Sequence, residues 1–206
     1  MARSVAGAKK PRGKAAARLE AEAWEEAALA ALETRGLAGV AVEPLARVLG
    51  VTKGSFYWHF TDRAALLRAA LARWEERATD SVIAWLATVD DPRERLVQLI
   101  TRGSLSDRTW RIHVALGSAI AEPAVALALE RVSRRRIGYL EECYAKLGSK
   151  PQAARRAALL AYASYLGLTR LRLEAPRELP EVASMRAYTA HVVAALVPPA
   201  GSRGKS

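Results

Sequence analysis

Residues 43–60, EPLARVLGVTKGSFYWHF, constrain this chain more than any other stretch. Leu45, Ala46 and Leu49 fall at i, i+1 and i+4, one apolar face of a short helix. Its first turn accepts Pro44 because the N–H groups there have no intrahelical partner. Gly50, just past that face, is the residue type that closes a helix in the left-handed conformation. Val51 is then expected to plug the gap between two helices and Thr52 to cap the second. That second helix, Lys53 to Phe60, carries too many polar-tipped aromatics for a core helix alone. Phe56 and Phe60, four apart, are expected inward with Val51, which leaves Lys53, Ser55, Tyr57, Trp58 and His59 toward solvent. Hydrogen-bond donors, a cation and flat apolar surface in this combination suit phosphates and base edges. A helical hairpin whose aromatic face packs on a neighbouring helix is the other reading.

The ordered run Leu45-Ala46, Gly50-Val51-Thr52-Lys53-Gly54-Ser55, Phe56-Tyr57-Trp58-His59-Phe60, followed by Arg63 and Leu66, resembles the DNA-binding signature of TetR-family transcriptional regulators. Two positions depart from the family pattern. Ala41 stands where Thr or Ser usually caps the first motif helix, so that cap is weaker or supplied otherwise. Arg63-Ala64 stands where Lys and an acid are common, which keeps the cation and drops the acid.

The resemblance implies an all-α chain with an N-terminal three-helix helix-turn-helix domain, residues 15–61, and a helical effector-binding and dimerisation domain, residues 62–197. It implies DNA contacts from Arg47, Thr52, Lys53, Gly54, Ser55, Tyr57, Trp58, His59 and Arg63. Among these Lys53, Ser55 and Trp58 are expected to read bases, and Tyr57, His59 and Arg63 to hold phosphates. The function implied is that of a ligand-responsive repressor, released from a palindromic operator by a small hydrophobic or aromatic, neutral or weakly anionic effector. An architectural DNA-binding protein without an effector is the alternative, and an enzyme on a helical body is a third class.

Charge is unevenly spread along the chain, whose formal net charge is +11. Residues 1–18 carry six basic residues and no acid, whereas residues 19–79 carry seven basic and nine acidic. The motif region is therefore not itself basic, and a disordered arm over residues 1–14 would supply much of the attraction to phosphate if it reaches DNA. Behind it, a helix from Ala15 to Arg35 ends at Gly36, with an apolar stripe of Leu19, Ala23, Ala27, Ala30 and Ala31 beside Trp24 and Leu32. Glu20, Glu22, Glu25, Glu26 and Glu33 are expected on a solvated face away from DNA.

After Phe60, Thr61 or Asp62 can cap a long helix through Leu66, Leu67, Ala70, Leu71 and Trp74. Further helices follow, with breaks at Asp90-Asp91-Pro92, near Pro123 after a helix over Thr109–Ala121, and at Gly148-Ser149-Lys150-Pro151. Arg131, Arg134 and Arg135 share one face, either merely solvated or available to an anion. Trp85, Trp110, Tyr139 and Tyr162 sit on four different helices, an arrangement that lines a cavity or fills a core. His113 and Tyr139 are the expected polar contacts there, with a core histidine satisfied by a backbone carbonyl as the plainer reading of His113.

The segment 157–168 is apolar nearly all round, too much for one subunit to cover. With a stripe of Val182, Met185, Thr189, Val192, Val193 and Leu196 on the last helix, it predicts a homodimer through the last two helices, with Leu160, Ala161 and Leu168 in the seam. A tail over residues 198–206 is expected to be disordered. No apolar run of about twenty residues and no signal-peptide core occur, so the expectation is a cytoplasmic protein that does not engage a membrane. No nucleophile, phosphate loop or metal-ligand spacing appears, and neither enzymatic activity nor a cofactor is expected. Cys143, the single cysteine, is expected to be a small buried or half-buried side chain.

Overall fold

The computed structural model describes residues 14–105 and 109–199, with side chains described from Glu20 onward except at Thr109, Val182 and Ala183. The basic arm and most of the expected tail lie outside these residues, as do the side chains of Leu19 and Val182. Ten α-helices and no strand occur among the described residues, so the chain is all-α as expected.

Helix α1, Lys14–Arg35, ends where Gly36 takes φ 63°. Its buried face is Trp24, Ala28, Ala31 and Leu32, with Leu29 beside it; Ala23 and Ala30 point outward and Ala27 is half-buried. The expected alanine stripe is thus rotated, because the face that buries Trp24 and Leu32 removes far more apolar area from water than one built on methyl groups. The glutamates are not a free solvated face either. Helix α4, Arg63–Glu75, lies across α1, and its Arg73 meets Glu25 at 2.6 Å, Glu26 at 3.4 Å and Glu22 at 3.5 Å.

A 3-10 turn, Leu37–Gly39, leads to α2, Val42–Val48. Gly39 is required by close approach: a Cβ there would stand 2.7 Å from that of Arg35 and 2.9 Å from the Ala31 carbonyl. Ala41 is the N-cap of α2 and offers no side-chain bond, so that helix starts without the usual hydroxyl. Gly50, at φ 66°, makes the left-handed turn. The Val51 N–H returns to the Ala46 carbonyl at 3.0 Å.

Helix α3 is one turn, Lys53–Phe56, rather than the expected run to Phe60; the chain then closes with His59 and Phe60 N–H groups both donating to the Phe56 carbonyl, at 2.9 and 3.0 Å. Gly54 and consecutive aromatics are poor helix formers, and tertiary packing of Phe56 and Phe60 holds the segment instead. Val51 does not plug the gap. It is 41% exposed, because the fully buried Phe56 ring takes that space. Thr52 occupies the N-cap position with extended backbone, but its hydroxyl makes no cap bond.

Asp62 caps α4, its Oδ1 accepting from the Ala65 N–H at 2.7 Å. Asp62→Ala should therefore lower stability by about 1 kcal/mol, read as a shift of the denaturant midpoint with no change in slope. Leu66, Leu67, Ala70, Leu71 and Trp74 are all buried, as the periodicity predicts. The helix continues through a π-helical segment, Glu76–Asp80, into α5, Ser81–Ala87.

The remaining helices are α6, Pro92–Leu105; α7, Thr109–Ser118, which stops short of Ala121; α8, Pro123–Lys146; α9, Pro151–Glu174; and α10, Val182–Leu196. Pro92, Pro123 and Pro151 each open a helix, where a missing N–H costs nothing. Pro198, at the edge of the expected tail, is held: its carbonyl accepts from Arg93 Nε at 3.0 Å.

Two apolar clusters result. One joins α1–α4 to Leu116 of α7 and Val125, Ala128 and Val132 of α8. The other gathers α5, α6, α8 and α9 around Tyr139, Tyr144 and Tyr162, with Cys143 buried among them as expected. The packing does not break at residue 61, since α4 belongs to the first cluster.

Helix α9 is not uniformly available for a partner. Ala161 and Leu168 are buried within their own subunit, whereas Leu159, Leu160, Ala163, Gly167 and Leu171 face out. On α10 the stripe turns inward, Thr189 being buried and Met185, Val192, Val193 and Leu196 half-buried, so that the outward face carries Ala187, Ala190 and Ala194. Packing of α10 on α6 and α9 uses up the larger side chains first.

Candidate nucleic-acid interface and internal cavity

The left-handed turn at Gly50 presents the start of α3 at the surface. Arg47, Thr52, Lys53, Gly54, Tyr57 and Trp58 are all exposed, and Ser55 is half-buried. Trp58 is 80% exposed, which wastes apolar area unless something covers it. Tyr57 is held from below by an edge contact to Phe56, centroids 5.2 Å apart. Lys53 Nζ donates to Glu43 at 2.8 Å, and this contact raises the Lys53 pKa and lowers that of Glu43. The pair is fully solvent-exposed, so exchanging the carboxylate for a phosphate costs little.

Two of the expected contact residues are used elsewhere. His59 is turned in, its side chain 8% exposed with Nε2 3.2 Å from the Glu20 carboxylate. It sits beside Phe60 rather than toward solvent, because the single turn of α3 ends before it. Arg63 donates through Nε to the Val40 carbonyl at 2.5 Å and through Nη2 to that of Leu37 at 2.8 Å, tying α4 to the turn before α2. Val48, not singled out by the sequence, is 69% exposed at the end of α2. Its signal was its absence from the Leu45, Ala46, Leu49 face.

The body encloses a cavity of about 140 Å³ between the π-helical segment and helices α5, α6, α8, α9 and α10. Tyr139 and Tyr162 line it; Trp85, Trp110 and His113 do not. Trp85 is on the surface with the Arg102 guanidinium 5.7 Å from its ring, and Trp110 lies between Arg111 and Arg172. His113 is buried between Trp74 and Tyr165, each 5.9 Å away centroid to centroid, and no carbonyl meets its Nδ1. Burial, helped by the charge of Arg136, lowers its pKa to about 4, so it is neutral near pH 7.

Arg136, Tyr165, Thr79 and Tyr188 line the cavity and were not foreseen. Arg136 belongs to the run Arg134-Arg135-Arg136, of which only its neighbours were counted, and the helical period carries it to the opposite side. Arg131, Arg134 and Arg135 pair with Glu75, Glu130 and Asp80 at the surface.

A left-handed turn mounted on a helical rod that runs on into a hollow helical body defines a protein of helix-turn-helix architecture. Residues 26–70 match the family described as bacterial regulatory proteins, tetR family. TtgR of Pseudomonas putida, an HTH-type transcriptional regulator, is 34% identical over 98 residues, 44% of this chain and 46% of TtgR. The chain thus matches only about half the length of that curated relative. A TetR-family transcriptional regulator from Agrobacterium tumefaciens superposes with TM-score 0.71 at 18% identity, over 88% of this chain and 100% of its own. NalD, the secondary repressor of the MexAB-OprM multidrug efflux pump in Pseudomonas aeruginosa, superposes with TM-score 0.65 at 22% identity, over 90% and 99%. The head of the chain is thus similar to the DNA-binding region of tetR-family regulatory proteins, and the chain shares its overall fold with solved regulators of that family. Among the described residues no helix is long and apolar enough to cross a membrane.

Proposed function

We propose that this chain is a cytoplasmic, ligand-responsive repressor that binds a palindromic operator as a homodimer and is released by a small, largely apolar effector held in the cavity. The observation that carries this reading is the path of one rod: α4 packs in the same cluster as the reading turn, and the π-helical segment that prolongs it contributes Ala78 and Thr79 to the cavity wall. An occupant therefore touches the element that carries the reading turn, and it shifts DNA affinity by preferring one arrangement of that element. In this reading residues 15–61 read DNA and residues 62–197 bind effector and partner subunit. That TtgR is an HTH-type transcriptional regulator and NalD a repressor supports it.

Lys53, Ser55 and Trp58 are the proposed base readers, with Tyr57 on phosphate. Lys53→Ala should relax discrimination at one position of each half-site, by roughly 1–3 kcal/mol. Tyr57→Phe should weaken binding to every sequence alike. Site selection from random duplexes followed by gel shift checks both. Equal affinity of the unmodified protein for the selected palindrome and for random DNA would make it an architectural binder instead.

A further inference from the structure

The cavity has a charge that its own walls do not answer. Three arginines, Arg77, Arg102 and Arg136, line it, and among the described residues no aspartate or glutamate does. Arg77 pairs with Glu26 of α1, outside the cavity. Arg136 is only partly exposed and has no carboxylate within 4 Å among the described residues. Its guanidinium donates to Thr79 Oγ1 at 3.0 Å and to the Ala78 carbonyl at 2.9 Å, two neutral acceptors, which leaves N–H groups unused from its five. One helical turn along α8, the Tyr139 hydroxyl turns instead to the Cys143 thiol. The Tyr165 hydroxyl on α9 is buried beside the Arg136 guanidinium, which lies 5.7 Å from its ring, and its proton meets no acceptor among the described residues. A buried hydroxyl donor beside a cation with no carboxylate to pair with is costly in an empty protein and favourable in one that holds an anion.

Resting on the effector reading above, we infer that the cavity takes an amphiphilic carboxylate, its anionic head on Arg136 and the Tyr165 hydroxyl and its apolar body along Val82, Leu99, Ile100 and Val192. Size and apolar lining alone would admit neutral and cationic molecules equally. The arginine sorts them, because a carboxylate accepts its charge-assisted, bidentate hydrogen bonds and an ammonium head is repelled. Arg136 also holds the π-helical segment through Ala78 and Thr79, so a carboxylate that engages it bears directly on the rod that leads to the reading turn.

The test is a matched series, 4-phenylbutyrate, 4-phenylbutan-1-ol and 4-phenylbutylamine, titrated calorimetrically into the full chain without DNA. The carboxylate should bind about tenfold tighter than the alcohol, and the amine weakest. Arg136→Met should bring the carboxylate to the affinity of the alcohol while the alcohol changes little. Tyr165→Phe removes only a hydroxyl and keeps the ring against His113 and Tyr162, and so keeps the fold; it should weaken the carboxylate about threefold and spare the alcohol. Equal affinities across the series, a preference for the amine, survival of the carboxylate preference in Arg136→Met, or no binding of any member at millimolar concentration would each overturn the inference. A carboxylate that binds with this pattern yet leaves operator affinity unchanged would remove the effector reading and leave the anion site standing.

Discussion

Leu160→Glu should produce a folded monomer that no longer holds a palindromic operator tightly. Leu160 is 59% exposed on the outer face of α9, beside Leu159, Ala163, Gly167 and Leu171. Within one subunit the substitution touches little, so the melting transition of the chain itself should move by no more than about 0.5 kcal/mol. If that face meets its copy across a dyad, each dimer gains two desolvated, unpaired carboxylates in one seam, at a cost of several kcal/mol. Dimer dissociation should then rise by about a hundredfold or more, and operator affinity should fall with it because one reading turn meets only half a palindrome. Sedimentation at micromolar concentration reads the first effect and gel shift the second. Ala161→Glu would not serve, since Ala161 is buried inside its own subunit and its failure would report on the cavity wall. A Leu160→Glu protein that sediments as a dimer would place the partner surface elsewhere.

The second large effect lies in the head. Phe56 is fully buried, edge-on to Trp24 with centroids 5.3 Å apart and tilted against Phe60 at 5.6 Å. Because α3 is a single turn, its own hydrogen bonds cannot hold it, and the ring is what fastens it to α1. Phe56→Ala should cost roughly 3–5 kcal/mol, a large part of the stability of an ordinary domain. Operator binding should be lost at temperatures where far-ultraviolet circular dichroism still reports a largely helical chain. Phe56→Leu, which keeps most of the volume, should retain binding. Full operator affinity in Phe56→Ala would mean that the reading turn is held by something other than this ring.

The reading turn was legible in sequence because its determinants are local. A glycine at the left-handed position, an i, i+4 apolar pair and an acid ahead of a helix act over a few residues, and Gly50, Phe56 with Phe60, and Asp62 all do in the structure what their spacing predicts. The helical class and the helix breaks at Pro92, Pro123 and Gly148 follow from the same kind of signal. Facing was not legible. Which side of α1 is buried depended on Trp24 finding Phe56 from another helix, and whether its glutamates were solvated depended on where α4 laid Arg73.

The cavity divides in the same way. Five aromatic or polar positions were expected to line it from their distribution over several helices, and two, Tyr139 and Tyr162, do. Trp85 and Trp110 stand outside because arginines from neighbouring helices cover their rings, a contact no single-helix period encodes. Arg136 was hidden in a basic run whose other members pair with acids at the surface. Sequence by itself determined that this chain folds as helices around a helix-turn-helix, since hydrogen-bonding periodicity and turn chemistry are properties of neighbouring residues. Only the tertiary structure decided that Arg136 faces inward with no counter-charge among the described residues while His59 and Arg63 turn away from the reading surface, because a side chain's partners are set by helices distant in sequence that pack against it.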